Sequence, residues 1–288
     1  MSFEYMICPG TMKAGTTLLY ELLRPHPQLR MGRVKEIHYF YEEYDPRKPE
    51  FDALFADVPG VKVDMTTLYM YDPPSLDRIC KIIDPASCAM VVLLRDPIER
   101  ALSHYRLRRE RGLETMSLEE SFPIEPERIK RSPRALRLFS YFSRGLYAKQ
   151  LDELYARFPA ENILILLFED FVAHQQETVD RVTAFLGLDP IKITPSVSNA
   201  AKGRVRSKGL DRVIRAFTNL LPGSMKTGFA RRVRNALLRI NHVEELREEI
   251  PAGFLDTLKE YYREDVERLG REYGIDTNKW KHFGGGQG

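Results

Sequence analysis

Apolar residues along this chain fall into two rhythms, and their alternation outlines a fold. Short apolar runs at 5–8, 60–64, 89–94 and 163–167 have the length of strands. The run at 89–94 (Ala-Met-Val-Val-Leu-Leu) has no polar position, as in a parallel strand covered on both faces. Helical spacing separates the runs. Leu18, Leu19, Leu22 and Leu23 follow the first, and a helix is predicted over 73–83 with Pro74 near its start. Asp96-Pro97 opens a helix that runs through Arg111, since proline suits a first helical turn. Further helices are predicted over 145–157 and about 175–186, the last stopped by Gly187. Strands alternating with helices predict an α/β fold built on a mainly parallel sheet. Past Gly187 the rhythm changes: 191–209 is polar, and helices are expected at about 209–220, 228–240 and 252–273, broken by Pro222-Gly223 and Pro251. The expected organisation is one domain over 1–288, with an α/β core to about 190, a polar segment at about 191–209 and a helical C-terminal part at about 210–283.

The turn after the first strand carries the clearest chemistry. Residues 10–17 read Gly-Thr-Met-Lys-Ala-Gly-Thr-Thr. A nucleotide triphosphatase loop reads G-x-x-x-x-G-K-[ST], with backbone N–H groups cradling phosphates and lysine after the second glycine. Here the glycine spacing is kept, but Thr16 fills the lysine slot and Lys13 precedes Gly15. A strand, a glycine turn and a helix start aim free N–H groups and the positive end of a helix dipole at an anion. That makes the sheet P-loop-like and suggests a phosphate-bearing donor other than ATP. An ordinary βα turn capped by Thr16 or Thr17 has the same look.

Composition narrows the class. With 43% hydrophobic and 30% charged residues, the chain reads as globular. It has no apolar run of about 18 residues to span a bilayer and no basic-then-apolar leader pattern at its start. Cys8, Cys80 and Cys88 lack metal-ligand spacing and suggest buried thiols in a reducing, cytoplasmic compartment. The net charge of +3 does not imply nucleic acid. Arginines do cluster at 106–111, 128–137 and 231–234, as solvated helix faces or as a surface for an acidic partner.

Arg95 ends the run at 89–94, and Ser103 follows two helical turns on. A guanidinium fork and a hydroxyl suit a terminal phosphate, while a pair with Asp96 or Glu99 is the structural alternative. Together with the loop, the stretch 94–105 (Leu-Arg-Asp-Pro-Ile-Glu-Arg-Ala-Leu-Ser-His-Tyr) resembles the sulfotransferases that use 3′-phosphoadenosine 5′-phosphosulfate (PAPS). Similarity continues at Ser143-Arg-Gly-Leu-Tyr147, Phe168-Glu-Asp170 and Phe185-Leu-Gly-Leu188. The resemblance implies that Lys13, Ala14, Gly15, Thr16 and Thr17 receive the donor's 5′-phosphosulfate, and Arg95 and Ser103 its 3′-phosphate. The stretch 199–208 resembles the segment that closes over that 3′-phosphate, through Lys202, Gly203 and Arg204, or Arg206 in the other register.

Residues 35–40 (Lys-Glu-Ile-His-Tyr-Phe) are similar to a segment of the heparan-type glycosaminoglycan O-sulfotransferases. That likeness implies Glu36 as the base that deprotonates an acceptor hydroxyl, with His38 as a second candidate. Lys13 would stabilise charge on the transferred group. Two departures argue against heparan sulfate as acceptor. Met65 stands where those enzymes carry a lysine, and their cysteine-linked loop is missing. The reading is a cytoplasmic, bacterial-type enzyme with no required metal. Its acceptor bears a hydroxyl on a glycan, a lipid or polyketide, or a small metabolite, with acidic and carrier-bound acceptors both open. The rivals are a P-loop small-molecule kinase and a catalytically inactive nucleotide- or partner-binding module.

Overall fold

Seven consecutive buried residues form β4 (Cys88–Leu94), the strand around which the structure is organised. The structure, a computed structural model, describes residues 3–41, 50–195, 204–205, 242–243 and 250–284. The chain divides into two compact units, 1–196 with 251–288, and 197–250. In the first, β1 (Tyr5–Ile7), β2 (Leu29–Met31), β3 (Val61–Asp64), β4 and β5 (Ile163–Leu167) form one parallel sheet in the order β2-β3-β1-β4-β5. This is the expected P-loop-like parallel sheet flanked by helices. β2 is an addition: three residues with Arg30 at the centre carry no strand signal.

Strand order reverses at β1, because the chain leaves it towards β2 and β3 and later builds β4 and β5 on its other side. Such a switch point opens a crevice at the carboxyl ends of the strands. Helix α1 (Thr16–Leu23) starts there, straight after the glycine loop. On one face, Met6, Ala89, Val91 and Leu93 share a core with Leu19 and Leu23 of α1 and with Val179 and Val182 of α8 (Gln175–Phe185). The other helices of this unit, in chain order, are α2 (Pro73–Ile82), α3 (Pro97–Glu110), α4 (Leu118–Lys130), α5 (Pro133–Phe139), α6 (Tyr147–Tyr155), α7 (Phe168–Ala173) and α9 (Ala252–Tyr273). Asp96 caps α3 by accepting from Ile98 N at 2.9 Å and Glu99 N at 3.1 Å. α9 is tied to the start of α6, where Asp265 accepts from Tyr147 N at 2.8 Å and Ala148 N at 3.0 Å.

α4 and α5 occupy a stretch with no clear helical rhythm, and α4 contains Pro123 and Pro126. Its start is a capping box between Ser117 and Glu120, a signal present in the sequence. In the second unit, β6 (Arg204–Val205) pairs antiparallel with β7 (His242–Val243). Lys202, Gly203, Arg206 and the helices expected at about 209–220 and 228–240 lie outside the described residues. No described helix is long and apolar enough to cross a membrane.

Past α9 the chain reaches Trp280, fully buried, its ring 6.0 Å from that of Tyr147. Replacing Trp280 with alanine should cost about 3–5 kcal/mol of stability, the range for emptying a buried aromatic site. Urea denaturation followed by circular dichroism measures it, and a loss below about 1 kcal/mol would show that the segment contributes little to the fold.

Candidate active site

Three segments converge at the tips of β1, β3 and β4. The first is the loop 10–17. Leu93 N donates to Gly10 O at 3.0 Å, while Thr11 N and Thr11 Oγ1 both donate to Leu93 O at 2.8 Å. The loop is thereby laced to β4. Lys13 has φ 75° and Gly15 φ 88°, both left-handed. A Cβ at Gly15 would lie 2.8 Å from the Phe168 ring, so glycine is required there for backbone and space alike. Ala14 N turns inward to Thr11 O at 3.2 Å, so this amide, expected to face an anion, is engaged within the loop. Thr16 and Thr17 occupy the first turn of α1, where no intrahelical carbonyl serves an N–H. Their amides keep the expected capacity for an anion.

Arg95 comes next, just past β4. Its Nη1 donates to Lys13 O at 3.2 Å, which joins the two candidate cationic residues directly. Its guanidinium carbon sits 4.5 Å from the Phe168 ring centroid, and Nη2 lies 3.5 Å from Glu99 Oε2. The Arg–Glu99 pair weighed from the sequence is therefore present. Ser103, half-buried on α3, is one turn beyond Glu99. Burial lowers the pKa of Lys13, with repulsion from Arg95 adding to it; burial also lowers that of Arg95, against which Glu99 acts.

The third segment carries Glu36 and His38. After β2 the chain crosses the tip of β3, where Met65 N donates to Lys35 O at 3.3 Å, Ile37 N to Asp64 Oδ1 at 3.4 Å and His38 N to Thr66 Oγ1 at 3.0 Å. Asp64 organises this crossing. It is buried and also accepts from Thr66 Oγ1 at 2.7 Å and Tyr69 OH at 2.8 Å. Its oxygens are thus engaged in structure. No group of three or more metal-ligating side chains occurs among the described residues.

Glu36 is met from three sides. Lys35 Nζ lies 3.1 Å from its Oε1, Thr67 Oγ1 donates to the same oxygen at 3.5 Å, and His38 Nε2 is 3.5 Å from Oε2. Lys35 Nζ also donates to Thr16 Oγ1 at 3.1 Å, so one ammonium spans the carboxylate and the first residue of α1. Lys13 and His38 are the non-glycine residues with positive φ among the described residues, at 75° and 58°. Backbone held in this region costs on the order of 1–2 kcal/mol and collects at functional sites. Lys35 was legible only as a lysine beside a candidate base; its reach to Thr16 is tertiary.

The arginine cluster at 106–111 is not uniformly a solvated face. Arg108 is buried, with Nε donating to Leu138 O at 3.1 Å and lying 3.3 Å from His104 Nε2. Arg100 and Arg144 are buried beside it, and Arg144 Nη1 is 3.5 Å from Met12 Sδ in the loop. Burial, then Arg144, Arg100 and Arg108, hold His104 well below the ordinary histidine range, so it stays neutral.

Burial lifts Asp64 from the ordinary 3.8 to about 6. Between those values the unfolded chain ionises while the folded one keeps its proton, so stability falls as pH rises through the window and levels off above about 6. Relative to Asp64→Asn, the wild type should lose on the order of 3 kcal/mol across that window. Urea denaturation of both proteins at a series of pH values measures it, and parallel curves would contradict the assignment.

Comparison with known proteins places the chain in a family. Residues 5–231 match the family described as the sulfotransferase domain. Human (Homo sapiens) heparan sulfate glucosamine 3-O-sulfotransferase 3B1 is 28% identical over 187 residues, covering 63% of this chain and 45% of that protein. The membrane-associated sulfotransferase kil1 of Dictyostelium discoideum is 31% identical over 121 residues, 40% of this chain and 24% of that protein. The chain thus spans less than half the length of these curated relatives. A solved sulfotransferase from Alicyclobacillus acidocaldarius shares the fold with a TM-score of 0.69 at 22% identity, over 98% of this chain and 99% of that one. Since the family match covers well over half its length, the chain belongs to the sulfotransferase family, whose sulfuryl donor is PAPS.

Proposed function

We propose that this chain transfers a sulfuryl group from PAPS to an acceptor hydroxyl by in-line displacement. One observation carries the reading. Lys35 Nζ spans Thr16 Oγ1 and Glu36 Oε1 at 3.1 Å each, which ties a carboxylate to the first turn of the phosphate-loop helix. A base must lie within hydrogen-bond reach of the proton it removes, and Glu36 remains 37% exposed at its side chain.

The residues present suit the donor. The first-turn amides of Thr16 and Thr17, with Gly15 giving close backbone approach, would hold its 5′-phosphate end; Ala14 shapes that turn. Arg95 and Ser103 would hold the 3′-phosphate, joined to the loop through the Arg95–Lys13 bond at 3.2 Å. Lys202, Gly203, Arg204 and Arg206 remain the proposed third contact on sequence resemblance alone. Bound there, the donor supplies a sulfuryl group already activated on a phosphate leaving group.

Glu36 then accepts the hydroxyl proton at a carboxylate oxygen while Lys35 and Thr67 fix its orientation. Lys13 neutralises charge gathering on the leaving side. His38, 3.5 Å from Glu36, orients that carboxylate or takes the proton itself. The acceptor is a hydroxyl on a glycan, a lipid or polyketide, or a small metabolite. Three free thiols, two of them buried, support a cytoplasmic setting.

Glu36→Gln should keep its affinity for the product nucleotide, 3′-phosphoadenosine 5′-phosphate (PAP), within about twofold and lose about 10²–10⁴ of turnover. Calorimetry and transfer of labelled sulfate measure the two. Unchanged turnover would remove Glu36 from the role and leave His38→Ala as the decisive variant. The same calorimetry should rank PAP well above ATP and ADP; ATP-dependent product would instead favour a kinase.

A further inference from the structure

The proposed 3′-phosphate site contains a carboxylate. Arg95 lies just before α3, and Glu99 and Ser103 follow it on the helix at four-residue spacing, with Glu99 in the middle. Glu99 Oε2 lies 3.5 Å from Arg95 Nη2, with side-chain exposures of 26% and 16%. A phosphate arriving between Arg95 and Ser103 meets that charge at short range, and the Arg95 fork already serves it.

Glu99 has somewhere else to go. Its other oxygen, Oε1, lies 3.3 Å from Lys281 Nζ and 4.0 Å from His282 Nε2. Both side chains sit on the segment after α9, which is anchored without Glu99. Trp280 is buried against Tyr147, whose hydroxyl donates to Arg95 O at 2.9 Å. Asp96 Oδ2 accepts from His282 N at 2.9 Å and lies 2.9 Å from His282 Nδ1. The other acids acting on Arg95 are tied elsewhere: Asp96 caps α3, and Glu169 Oε1 accepts from Asp96 N at 3.1 Å.

We infer that Glu99 is a positioning residue shared between Arg95 and the C-terminal segment. It holds the Arg95 guanidinium before the donor binds, in competition with the 3′-phosphate. When the 3′-phosphate takes Arg95, Lys281 and His282 take Glu99. The inference rests on the reading that Arg95 binds the 3′-phosphate. It adds Glu99 and Lys281 as residues that set preference for a 3′,5′-bisphosphate over a nucleotide phosphorylated only at 5′.

Calorimetry with PAP and with AMP, which lacks the 3′-phosphate, tests this on the full chain. Glu99→Gln should tighten PAP about three- to tenfold and leave AMP within about twofold, the scale of a partly exposed ion pair. Lys281→Ala should weaken PAP about threefold in the wild type and have no effect in the Glu99→Gln background, because its action runs through Glu99. A PAP:AMP ratio unchanged or lowered in Glu99→Gln overturns the inference. So does a Lys281→Ala effect that persists in the double variant, which would mean direct contact with phosphate. Should Glu99→Gln not fold, Lys281→Ala decides alone, since that side chain is 73% exposed, and unchanged PAP affinity overturns the proposal. Arg95→Ala separates the two levels. If it keeps the wild-type PAP:AMP ratio, the underlying reading of the site fails; if it abolishes the ratio while Glu99→Gln changes nothing, only the present inference fails.

Discussion

The bonds between Leu93 and the Gly10–Thr11 backbone are the constraint on which the site depends. Leu93 donates to Gly10 and accepts twice from Thr11, so the glycine loop cannot drift from the tip of β4. Because Arg95 is two residues past Leu93, the same lacing brings its guanidinium to the Lys13 carbonyl. Two cationic groups from distant parts of the sequence become neighbours through strand order. The parallel pairing of β1 with β4 supplies that order, and the fully buried β4 supplies its rigidity.

A second buried group does for Glu36 what Leu93 does for the loop. Asp64 sits at the end of β3 and collects one amide and two hydroxyls. This fixes where the chain crosses after β2, and hence where Lys35, Glu36 and His38 come to lie. Arg100, Arg108 and Arg144 add buried positive charge behind the loop. Backbone carbonyls and neutral side chains serve these guanidiniums. Among the described residues none of the three is within ion-pair distance of a carboxylate, and Glu125 acts on Arg100 and Arg144 only from further off.

What the sequence disclosed follows from how local each signal was. β4 was legible because burial on both faces leaves no polar interruption, and the loop because its glycine spacing is local. The helix after Asp96-Pro97 announced itself through its cap. β2 was not legible, since its membership of the sheet comes from pairing with β3 rather than from Leu-Arg-Met itself. α4 was obscured by two internal prolines despite its capping box. In the site, Lys13, Glu36 and Arg95 could be named from motif and resemblance. The span of Lys35 and the burial of Arg108 could not, because each depends on a partner far away in the chain, and neither could the engagement of the Ala14 amide, a backbone turn to Thr11 that leaves no residue-type signal.

The Phe168 ring fills two jobs at once: it stands where a side chain on Gly15 would go, and it lies under the Arg95 guanidinium. Aromatic carbon is incompressible on this scale, so the ring works as a fixed spacer between the helix start and the cation opposite. Under the proposed donor site, selection is therefore partly a matter of length: an anion must match the gauge set by one flat hydrocarbon surface to touch both ends.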